Sequence, residues 1–290
     1  MERTRNKKIT RGVLLFAFNS SKYEYTKMAE YNAKRVHAFL GLPTTLITDS
    51  KSKKSLKTPD VFDKIKVIKA DPNNKKDGVP WLNKGRYQAY ALSPYDETLL
   101  LDVDYIINSD KLLKTFDFSD SFCCHNETEI LMWPGAPQES LSSYSYNSLW
   151  ATVIMFKKSD RAKQIFDVMR MVQENYAHYA NIHNFVNGVF RNDYALTLAL
   201  KIVNGHTNNP SDFIPWRLVH IGKDSSIYAD KADCSIPEAT PAYKYIDFNT
   251  NFTVMFDHWK NSKLRKEYIK IQDMDFHIIN KDLFENICDE

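Results

Sequence analysis

Cysteine and glycine are scarce in this sequence. Only four of the 290 residues are cysteine, and no two of them form the Cys-x-x-Cys spacing that is typical of a structural zinc site. Eight residues are glycine, and none of them belongs to a Gly-x-Gly-x-x-Gly or Gly-x-x-x-x-Gly-Lys-Ser/Thr pattern. A glycine-rich phosphate loop is therefore excluded, and a divalent metal ion is the usual alternative partner for a bound phosphate.

Long apolar runs and a strong excess of one charge are also missing. The apolar run from Val13 to Phe18 is too short for a signal peptide or a membrane span. We therefore expect a soluble cytoplasmic protein, and few, irregularly spaced cysteines suit a reducing compartment. The formal net charge is only +3. Basic residues nevertheless cluster at 3–8, 51–57, 75–76 and 260–266, which suits either solvated loops or an anionic partner.

Apolar periodicity predicts an α/β fold. Continuous apolar runs predict strands, and apolar residues at helical spacing predict helices. The predicted strands cover 12–18, 44–48, 64–68, 98–103 and 152–156, and helices lie between and after them. Such alternation favours a mostly parallel sheet flanked by helices. We expect one domain over residues 1–255 and a basic, helical C-terminal extension over 256–290.

Two aspartates close the strand that begins at Thr98. Asp102 and Asp104 follow three leucines, and alternate residues of a strand point to the same face. Open α/β sheets bind ligands at the carboxyl ends of their strands. Two carboxylates there suit Mn²⁺ or Mg²⁺ shared with a diphosphate. The alternative is a pair of solvated side chains, although a buried strand rarely ends in two carboxylates without a counter-charge.

The sequence around these aspartates resembles a known enzyme family. The segments 81–87, 92–96 and 99–104 (WLNKGRY, LSPYD and LLLDVD) are similar to the Asp-x-Asp region of GT-A fold glycosyltransferases, notably the glycogenin-like group. The resemblance is good over residues 12–115 and patchy to about residue 205. It implies a GT-A-type, Rossmann-like fold. It also implies metal-dependent transfer of a sugar from a nucleotide-sugar donor, such as a UDP-sugar, to a hydroxyl group.

The resemblance further implies contacts to the nucleotide. Ala17, Phe18 and Asn19 follow the first strand and would touch the nucleotide. Asp49 follows the second strand and would face the base or the ribose. The alternative for Asp49 is a side chain that merely ends its strand.

Metal and phosphate contacts are implied in the same way. Lys84 would approach the donor phosphates or the sugar, unless it is a surface lysine. Asp102 would contact the ribose or the metal, and Asp104 would bind the metal. Members of the family commonly use a late histidine as third ligand. His258 is our choice and His220 the reserve, although the family's fuller His-x-x-Gly-x-x-Lys-Pro-Trp pattern is absent.

An acidic residue opens the helix that follows residue 191. Asp193 fits the slot in which inverting GT-A enzymes carry the base that deprotonates the acceptor hydroxyl. The alternative is a first-turn aspartate favoured by the helix dipole. The sequence does not decide between inversion and retention.

The acceptor is the least constrained part of the prediction. The Trp- and Tyr-rich segment 133–146 reads as an acceptor loop, or else as an ordered connector. One group of similar enzymes is encoded by bacteriophages and glycosylates hydroxymethylated cytosine in DNA within the host cytoplasm. The basic clusters could contact DNA phosphates, and the aromatic loop could stack on an extruded base. A saccharide or protein acceptor would use the same loop.

Three other functions fit the sequence less well than glycosyl transfer does. A haloacid-dehalogenase phosphatase would carry Asp-x-Asp-x-Thr/Val near the N-terminus, whereas Ile106 fills the last position here. A sugar nucleotidyltransferase would have a glycine-rich loop after its first strand, and residues 17–21 (AFNSS) lack one. A non-catalytic nucleotide-sugar-binding protein remains open, although the paired aspartates favour an enzyme.

Overall fold

A computed structural model describes residues 9–69, 75–76, 79–80, 82–185, 189–222, 225–229, 252–260, 263–282 and 284. Its strands are β1 Arg11–Phe16, β2 Thr44–Thr48, β3 Lys64–Val67, β4 Lys75–Lys76, β5 Val79–Pro80, β6 Glu97–Leu101, β7 Tyr105–Ile106, β8 Phe122–His125, β9 Thr128–Ile130, β10 Trp150–Lys157, β11 Leu218–Ile221, β12 Ser225–Ala229, β13 Phe252–Lys260, β14 Lys263–Ile271 and β15 Phe276–Ile278.

The α-helices are α1 Tyr25–Arg35, α2 Ser50–Lys53, α3 Ala89–Leu92, α4 Thr115–Phe118, α5 Asp160–Glu174, α6 Tyr176–Ile182 and α7 Asn192–Val203. A π-helix, Val36–Leu40, extends α1, and 3-10 helices cover Pro59–Val61, Leu82–Gln88, Lys111–Lys114 and Pro210–Asp212. Across the described ranges, no helix combines the length and the apolar character that a bilayer span requires.

A six-stranded sheet forms the centre of the fold, in the order β3-β2-β1-β6-β10-β8. The pairs β3/β2, β2/β1 and β1/β6 are parallel. Strand β10 is antiparallel to both of its neighbours, so five of the six strands run in one direction. The predicted α/β class, with a mostly parallel sheet flanked by helices, is confirmed.

Alternation along the strands sends side chains to two separate cores. Val13 and Leu15 of β1 lie in the core that α1 and the second sheet cover, whereas Leu14 and Phe16 lie in the core under α5 and α7. Helix α5 begins where Ser159 caps it, by accepting a hydrogen bond from the backbone N–H of Ala162. Both faces of the central sheet are therefore buried, which explains why its strands read as continuous apolar runs.

A second sheet, in the order β7-β15-β11-β9, lies against the first core. Strand β15 pairs antiparallel with β7 and parallel with β11. Because β7 begins one residue after Asp104, this pairing brings residues near 277 to the Asp-x-Asp segment. Chain positions more than 170 residues apart therefore meet at the carboxyl end of β6.

The predicted helical character of residues 256–290 is wrong for the described part of that stretch. Strands β13 and β14 form an antiparallel hairpin, with β12 on its outer side, and β13 runs through residues 255 and 256 without a break. Phe252, Val254 and Phe256 are buried, while Lys266, Tyr268 and Lys270 are exposed. The basic residues that suggested a helix lie on strands, where side chains alternate between the two faces with a period of two.

Candidate active site at the carboxyl edge of the sheet

The strands β1, β2 and β6 end at one edge of the sheet. From β1 the chain continues to β2 and β3 on one side of the sheet, while β6 pairs with β1 on the other side. The strand order therefore reverses between β1 and β6. Such a switch point opens a crevice at the carboxyl ends of the strands. Asp102 and Asp104 follow β6 into this crevice, and Ala17 to Asn19 follow β1 on its other side.

The Asp-x-Asp segment is held by backbone contacts from both sides. Asn32 of α1 donates a hydrogen bond to the carbonyl oxygen of Val103, between the two aspartates (2.5 Å). The backbone N–H of Asp102 donates to the carbonyl of Thr152 in β10, and that of Ile278 in β15 donates to the carbonyl of Asp104, both over 2.9 Å. The turn is thus fixed by α1, β10 and β15 together.

Asp104 is only 5% exposed and lies between two basic side chains. One oxygen accepts from Nζ of Lys281, and the other lies 3.3 Å from Nε2 of His277. Burial acts to raise the pKa of Asp104, but Lys281 and His277 outweigh it and hold that pKa well below its usual range. Asp104 also raises the pKa of Lys281 above its usual range, although burial acts to lower it.

Asp102, Asp104 and His277 form a cluster that suits a divalent metal ion. Each offers one ligand atom, and these atoms all lie within 4.8 Å of one another. Two carboxylate oxygens and one imidazole nitrogen are a mixed hard and borderline donor set, which Mn²⁺ accepts more readily than Mg²⁺ does. The residues present therefore fit a metal of the predicted kind, with His277 as a ligand that the sequence did not single out.

Arg86 gives Asp102 its counter-charge. The Arg86 side chain is 1% exposed; it donates from Nη1 to Asp102 and from Nη2 to the carbonyl of Ala151 (2.8 Å). Burial raises the pKa of Asp102; the guanidinium opposes that rise, and the nearby Asp104 adds to it. The solvated alternative for the aspartate pair is therefore wrong, because both carboxylates have charged partners and Asp104 is buried.

A cavity of about 190 Å³ lies beside this pair. Arg86, Asp102, Ala151, Phe190, Arg191 and Asp193 are among the residues that line it. Two residues that the sequence proposed for separate roles, Asp102 and Asp193, thus face the same space. The cavity is polar, since one guanidinium lies beside each carboxylate.

Asp193 is held by two donors. One oxygen accepts from the backbone N–H of Ala151 (2.9 Å), and the other from Nη2 of Arg191 (3.0 Å). Arg191 also donates a hydrogen bond to Glu139, which lies within the segment 133–146. Burial acts to lower the pKa of Arg191, but Asp193 and Glu139 together raise it. The predicted acceptor loop is therefore tied, through Arg191, to the wall of the cavity.

The predicted nucleotide-side residues form a hydrogen-bonded web. Asp49 accepts from the backbone N–H groups of Lys51 (2.7 Å) and Ser52 (3.0 Å), which makes it the N-cap of α2, and from the Ser52 hydroxyl (2.6 Å). The backbone N–H of Asn19 donates to that hydroxyl (2.8 Å), and Oδ1 of Asn19 accepts from the N–H of Thr26 (2.9 Å). Asp49 therefore ends its strand as a helix cap, in agreement with the alternative reading.

Ala17, Phe18 and Lys84 also lie close to this edge of the sheet. Ala17 is buried, and its backbone N–H donates to Ile47 of β2 (3.0 Å). Phe18 is half-buried. Nζ of Lys84 lies 5.9 Å from the ring centroid of Phe190, one of the cavity residues. Lys84 thus reaches the rim of the cavity, whereas Arg86 lines it.

Tyr25, at the start of α1, is another residue that the sequence did not single out. Burial raises the pKa of its hydroxyl; Lys281 opposes the rise, and Asp104 and Asp102 add to it. Its side chain is therefore within electrostatic range of the aspartate pair. An aromatic residue at a helix start gives no sequence signal of such a position.

The two histidines proposed as metal ligands have different positions. His258 lies in β13, but its side chain is outside the described part of the structure. His220, in β11, is 2% exposed, and its Nδ1 lies 2.9 Å from Nδ1 of His277. Burial, with smaller contributions from His277 and His125, lowers the pKa of His220 to about 2. His220 therefore contacts the cluster through His277.

The cap made by Asp49 leads to a prediction about stability. Asp49→Ala should lower the free energy of unfolding at pH 7 by about 1 kcal/mol. The hydrogen bonds from Ser52 and Lys51 lower the pKa of Asp49 in the fold, although burial acts to raise it. Because the pKa of Asp49 is lower in the folded than in the unfolded protein, the stabilisation by the cap is fully present above the unfolded-state pKa. It is lost as the pH falls through the folded-state pKa.

Urea unfolding of wild type and variant from pH 7 to pH 3 measures this effect. Asp49→Asn is the control, because asparagine caps helices equally well. It should retain most of the stability at pH 7. A constant difference between Asp49→Ala and wild type down to pH 3 would contradict the assignment. A loss of nucleotide affinity in Asp49→Asn, with stability kept, would instead indicate the contact to base or ribose.

Comparison with solved structures finds distant likenesses. Mouse xyloside xylosyltransferase 1 is 12% identical, with a TM-score of 0.46 over 71% of this chain and 84% of that chain. The galactosyltransferase LgtC, solved with donor and acceptor sugar analogues, is 13% identical, with a TM-score of 0.45 over 65% of this chain and 70% of that one. The Streptococcus pneumoniae glycosyltransferase GlyE is 15% identical, with a TM-score of 0.39 over 66% and 44%.

No protein-family model matches the sequence, and no curated protein does. The structural likenesses are too distant to assign an activity. The function of this chain therefore has to be inferred from the residues of the site at the carboxyl edge of its sheet.

Proposed function

We propose that the protein is a metal-dependent glycosyltransferase of the GT-A type that uses a nucleotide-diphosphate sugar, such as a UDP-sugar. The observation that carries the proposal is the cluster of Asp102, Asp104 and His277 at the switch point of the sheet, with Lys281 and Arg86 beside it. Two carboxylates with one imidazole suit Mn²⁺ or Mg²⁺. The basic side chains of Lys281 and Arg86 suit the phosphates of a donor bound to such an ion.

Each residue of the cluster has a role in this proposal. Asp102, Asp104 and His277 hold the metal ion, which when bound neutralises charge on the departing nucleoside diphosphate. Arg86 opposes the rise that burial causes in the pKa of Asp102, and it orients that carboxylate. Lys281, which contacts Asp104, is long enough to turn towards a phosphate oxygen instead. Lys84 reaches the rim of the cavity and approaches the donor from there.

On the nucleotide side, the proposal keeps the contacts that the family resemblance implies. Ala17, Phe18 and Asn19 would contact the nucleotide where β1 ends, and Asp49 would help through the web that holds Asn19. That His258 is a further metal ligand stays a prediction, since its side chain lies outside the described part of the structure.

For the acceptor side, we propose that Asp193 is the base of an inverting reaction. It faces the same cavity as Asp102, so an acceptor hydroxyl in that cavity would lie between them. The acceptor oxygen forms a bond to the anomeric carbon while the bond from that carbon to the diphosphate oxygen breaks. The hydroxyl proton then passes to Asp193.

Asp193→Asn should lower kcat by about 100-fold or more while the KM for the donor changes little. The reason is that the amide cannot accept the proton but keeps the size of the side chain. Steady-state kinetics with saturating donor measure the change. Asp212→Asn is the matched control, because it also weakens an arginine–aspartate ion pair, that of Arg161, but lies outside the cavity lining. A retained anomeric configuration in the product, or a near-normal kcat, would remove Asp193 from this role.

As acceptor we propose hydroxymethylated cytosine in DNA, as a bacteriophage enzyme would modify it. Trp133 and Tyr144 are 62% and 94% exposed on the loop that Glu139 ties to Arg191. Lys51, Lys53 and Lys54 are also exposed, and they follow β2 at the edge of the sheet that carries the site. Exposed aromatics can stack on an extruded base, and the lysines can contact phosphates. A saccharide or protein acceptor would also meet this loop.

Labelled nucleotide sugars mixed with plain or hydroxymethylated duplex DNA test the acceptor. Transfer that requires the hydroxymethyl group and weakens steeply with salt would support DNA. Label in an oligosaccharide or a protein, with none in either DNA, would overturn it while leaving glycosyl transfer intact. Oligosaccharide and protein acceptors belong in the same experiment for that reason.

Calorimetry with UDP tests whether the site binds a nucleotide through a metal. UDP should bind in the presence of Mn²⁺ and lose most of its affinity in excess chelator. Equal affinity with and without metal would contradict the role of the cluster. Metal-dependent binding without any consumption of a nucleotide sugar would favour the alternative of a non-catalytic nucleotide-sugar-binding protein.

A further inference from the structure

His220 is a buried histidine whose ring forms a hydrogen bond with His277. Its Nδ1 lies 2.9 Å from Nδ1 of His277, and its ring lies against the indole of Trp150, with centroids 4.3 Å apart. Nε2 of His220 is buried, and none of the described residues accepts or donates a hydrogen bond there. An apolar side chain of similar size would fill this space without the unpaired Nε2. Packing alone therefore gives no reason for a histidine.

The hydrogen bond between the two Nδ1 atoms requires one proton, which either histidine can supply. Either His277 donates to His220, or His220 donates to His277. The face of His277 that carries Nε2 lies beside Asp104, 3.3 Å from its oxygen. A histidine that binds a metal through Nε2 must have Nε2 unprotonated, so its proton is on Nδ1. Only the first arrangement leaves His277 ready to bind an ion there.

We propose that His220 is a positioning residue: it accepts a hydrogen bond from Nδ1–H of His277 and so keeps Nε2 of His277 directed at the aspartate pair. This inference rests on the proposed metal site. In metalloproteins an outer partner commonly fixes the tautomer and orientation of a histidine ligand in this way, and it is more often a carboxylate or a backbone carbonyl. In this protein a second histidine takes that position, with its own proton on the buried Nε2.

The described residues around His220 offer no other acceptor to His277 Nδ1. The neighbouring histidine, His125, is fully buried, and neither of its ring nitrogens has a hydrogen-bond partner among the described residues. It lies opposite Trp150 in the pairing of β8 with β10. His125 thus shares the buried surroundings of His220 but makes no hydrogen bond to His277 within the described part of the structure, which makes it a matched control.

Mn²⁺ affinity of the full chain without donor, measured by electron paramagnetic resonance, tests the proposal. His220→Leu should weaken Mn²⁺ binding about 10- to 100-fold. His220→Asn should stay within about threefold of wild type, because its amide oxygen can stand where Nδ1 stood and accept the same hydrogen bond. His125→Leu, which removes a buried imidazole of the same kind, should also stay within about threefold.

Nitrogen-15 spectra of histidine-labelled, metal-free wild type provide a readout that needs neither metal nor a variant. They should show Nδ1 of His277 protonated and Nδ1 of His220 unprotonated, with the proton of His220 on Nε2. The reverse assignment would overturn the proposal, and so would His220→Leu with wild-type Mn²⁺ affinity or His220→Asn as weak as His220→Leu. Wild type that binds no Mn²⁺ would overturn the metal site itself and the role of His220 with it, so the two failures are distinguishable.

Discussion

Asp104→Ala should lower metal-dependent donor turnover by about 1000-fold or more, because a divalent ion contributes several kcal/mol of charge stabilisation and each 1.4 kcal/mol is a factor of ten. Asp104 is the residue that both His277 and Lys281 contact, so its loss affects the whole cluster. Release of the nucleoside diphosphate from the donor, followed at saturating Mn²⁺, measures the effect. Mn²⁺ affinity should fall together with the rate.

Two further variants separate this effect from a loss of folding. Asp104→Asn keeps the size of the side chain and should lose most of the activity, since a neutral amide is a poorer metal ligand than a carboxylate. Asp110→Ala removes an exposed aspartate six positions further on and should change nothing. Thermal unfolding shows whether each variant is folded. A folded Asp104→Ala protein with full turnover would show that the cluster does not hold a catalytic metal.

Arg86→Met should affect stability and activity together. The substitution leaves Asp102 and the carbonyl of Ala151 without their partner. Breaking a buried ion pair by removing one member costs about 3–5 kcal/mol. Because the Asp102 side chain is 26% exposed, we expect the lower end, about 3 kcal/mol. Urea unfolding gives the stability, and calorimetry with UDP and Mn²⁺ should show weaker binding, since Asp102 is no longer oriented.

Arg161→Met is the control for this variant. Arg161 pairs at 2.7 Å with the buried Asp212, and neither residue is among those that line the cavity. This substitution should lower stability by a comparable amount and leave nucleotide affinity unchanged. If Arg86→Met and Arg161→Met weaken nucleotide binding equally, Arg86 has no specific role at the site. Arg86→Lys should be intermediate, because lysine keeps the charge but loses the planar fork that reaches two acceptors.

Local sequence signals were sufficient for the elements that carry their own pattern. Strand β2 matches the apolar run 44–48, and α5 buries the face that helical spacing predicted, from Ala162 to Val172. Gly41 ends the first helix in the left-handed conformation that glycine favours (φ 61°). Asp102 and Asp104 could be found because a leucine run ends in two carboxylates, which is a local feature.

Partners from distant parts of the chain had no such signal. His277 and Lys281 reach Asp104 because β15 pairs with β7, and neither strand has a pattern that identifies the other. The fragment Phe276-His277-Ile278 reads as an ordinary short strand. The sequence favoured His258, with His220 as the reserve, and did not single out His277. Only the pairing of strands decides which imidazole faces the aspartates.

Arg86 was missed for a local reason. Residues Leu82–Gln88 form a 3-10 helix in which Gly85 departs from helical dihedral angles (φ −78°, ψ 19°). The side chain that meets Asp102 is that of Arg86, whereas the family resemblance pointed to Lys84, two residues earlier. The antiparallel direction of β10 was also not predicted. Direction depends on how the connection from Asp104 to Trp150 is folded, and that connection contains only short elements. A strand's own residues do not encode its direction.

The most direct test of the central claim is a screen of nucleotide sugars for slow hydrolysis by wild-type protein with and without Mn²⁺. We predict that at least one donor, expected to be a UDP-sugar, releases its nucleoside diphosphate with Mn²⁺. Excess chelator or Asp104→Ala should abolish the release. Failure to turn over any nucleotide sugar, or turnover that persists unchanged in chelator, would contradict a metal-dependent glycosyltransferase built on Asp102, Asp104 and His277.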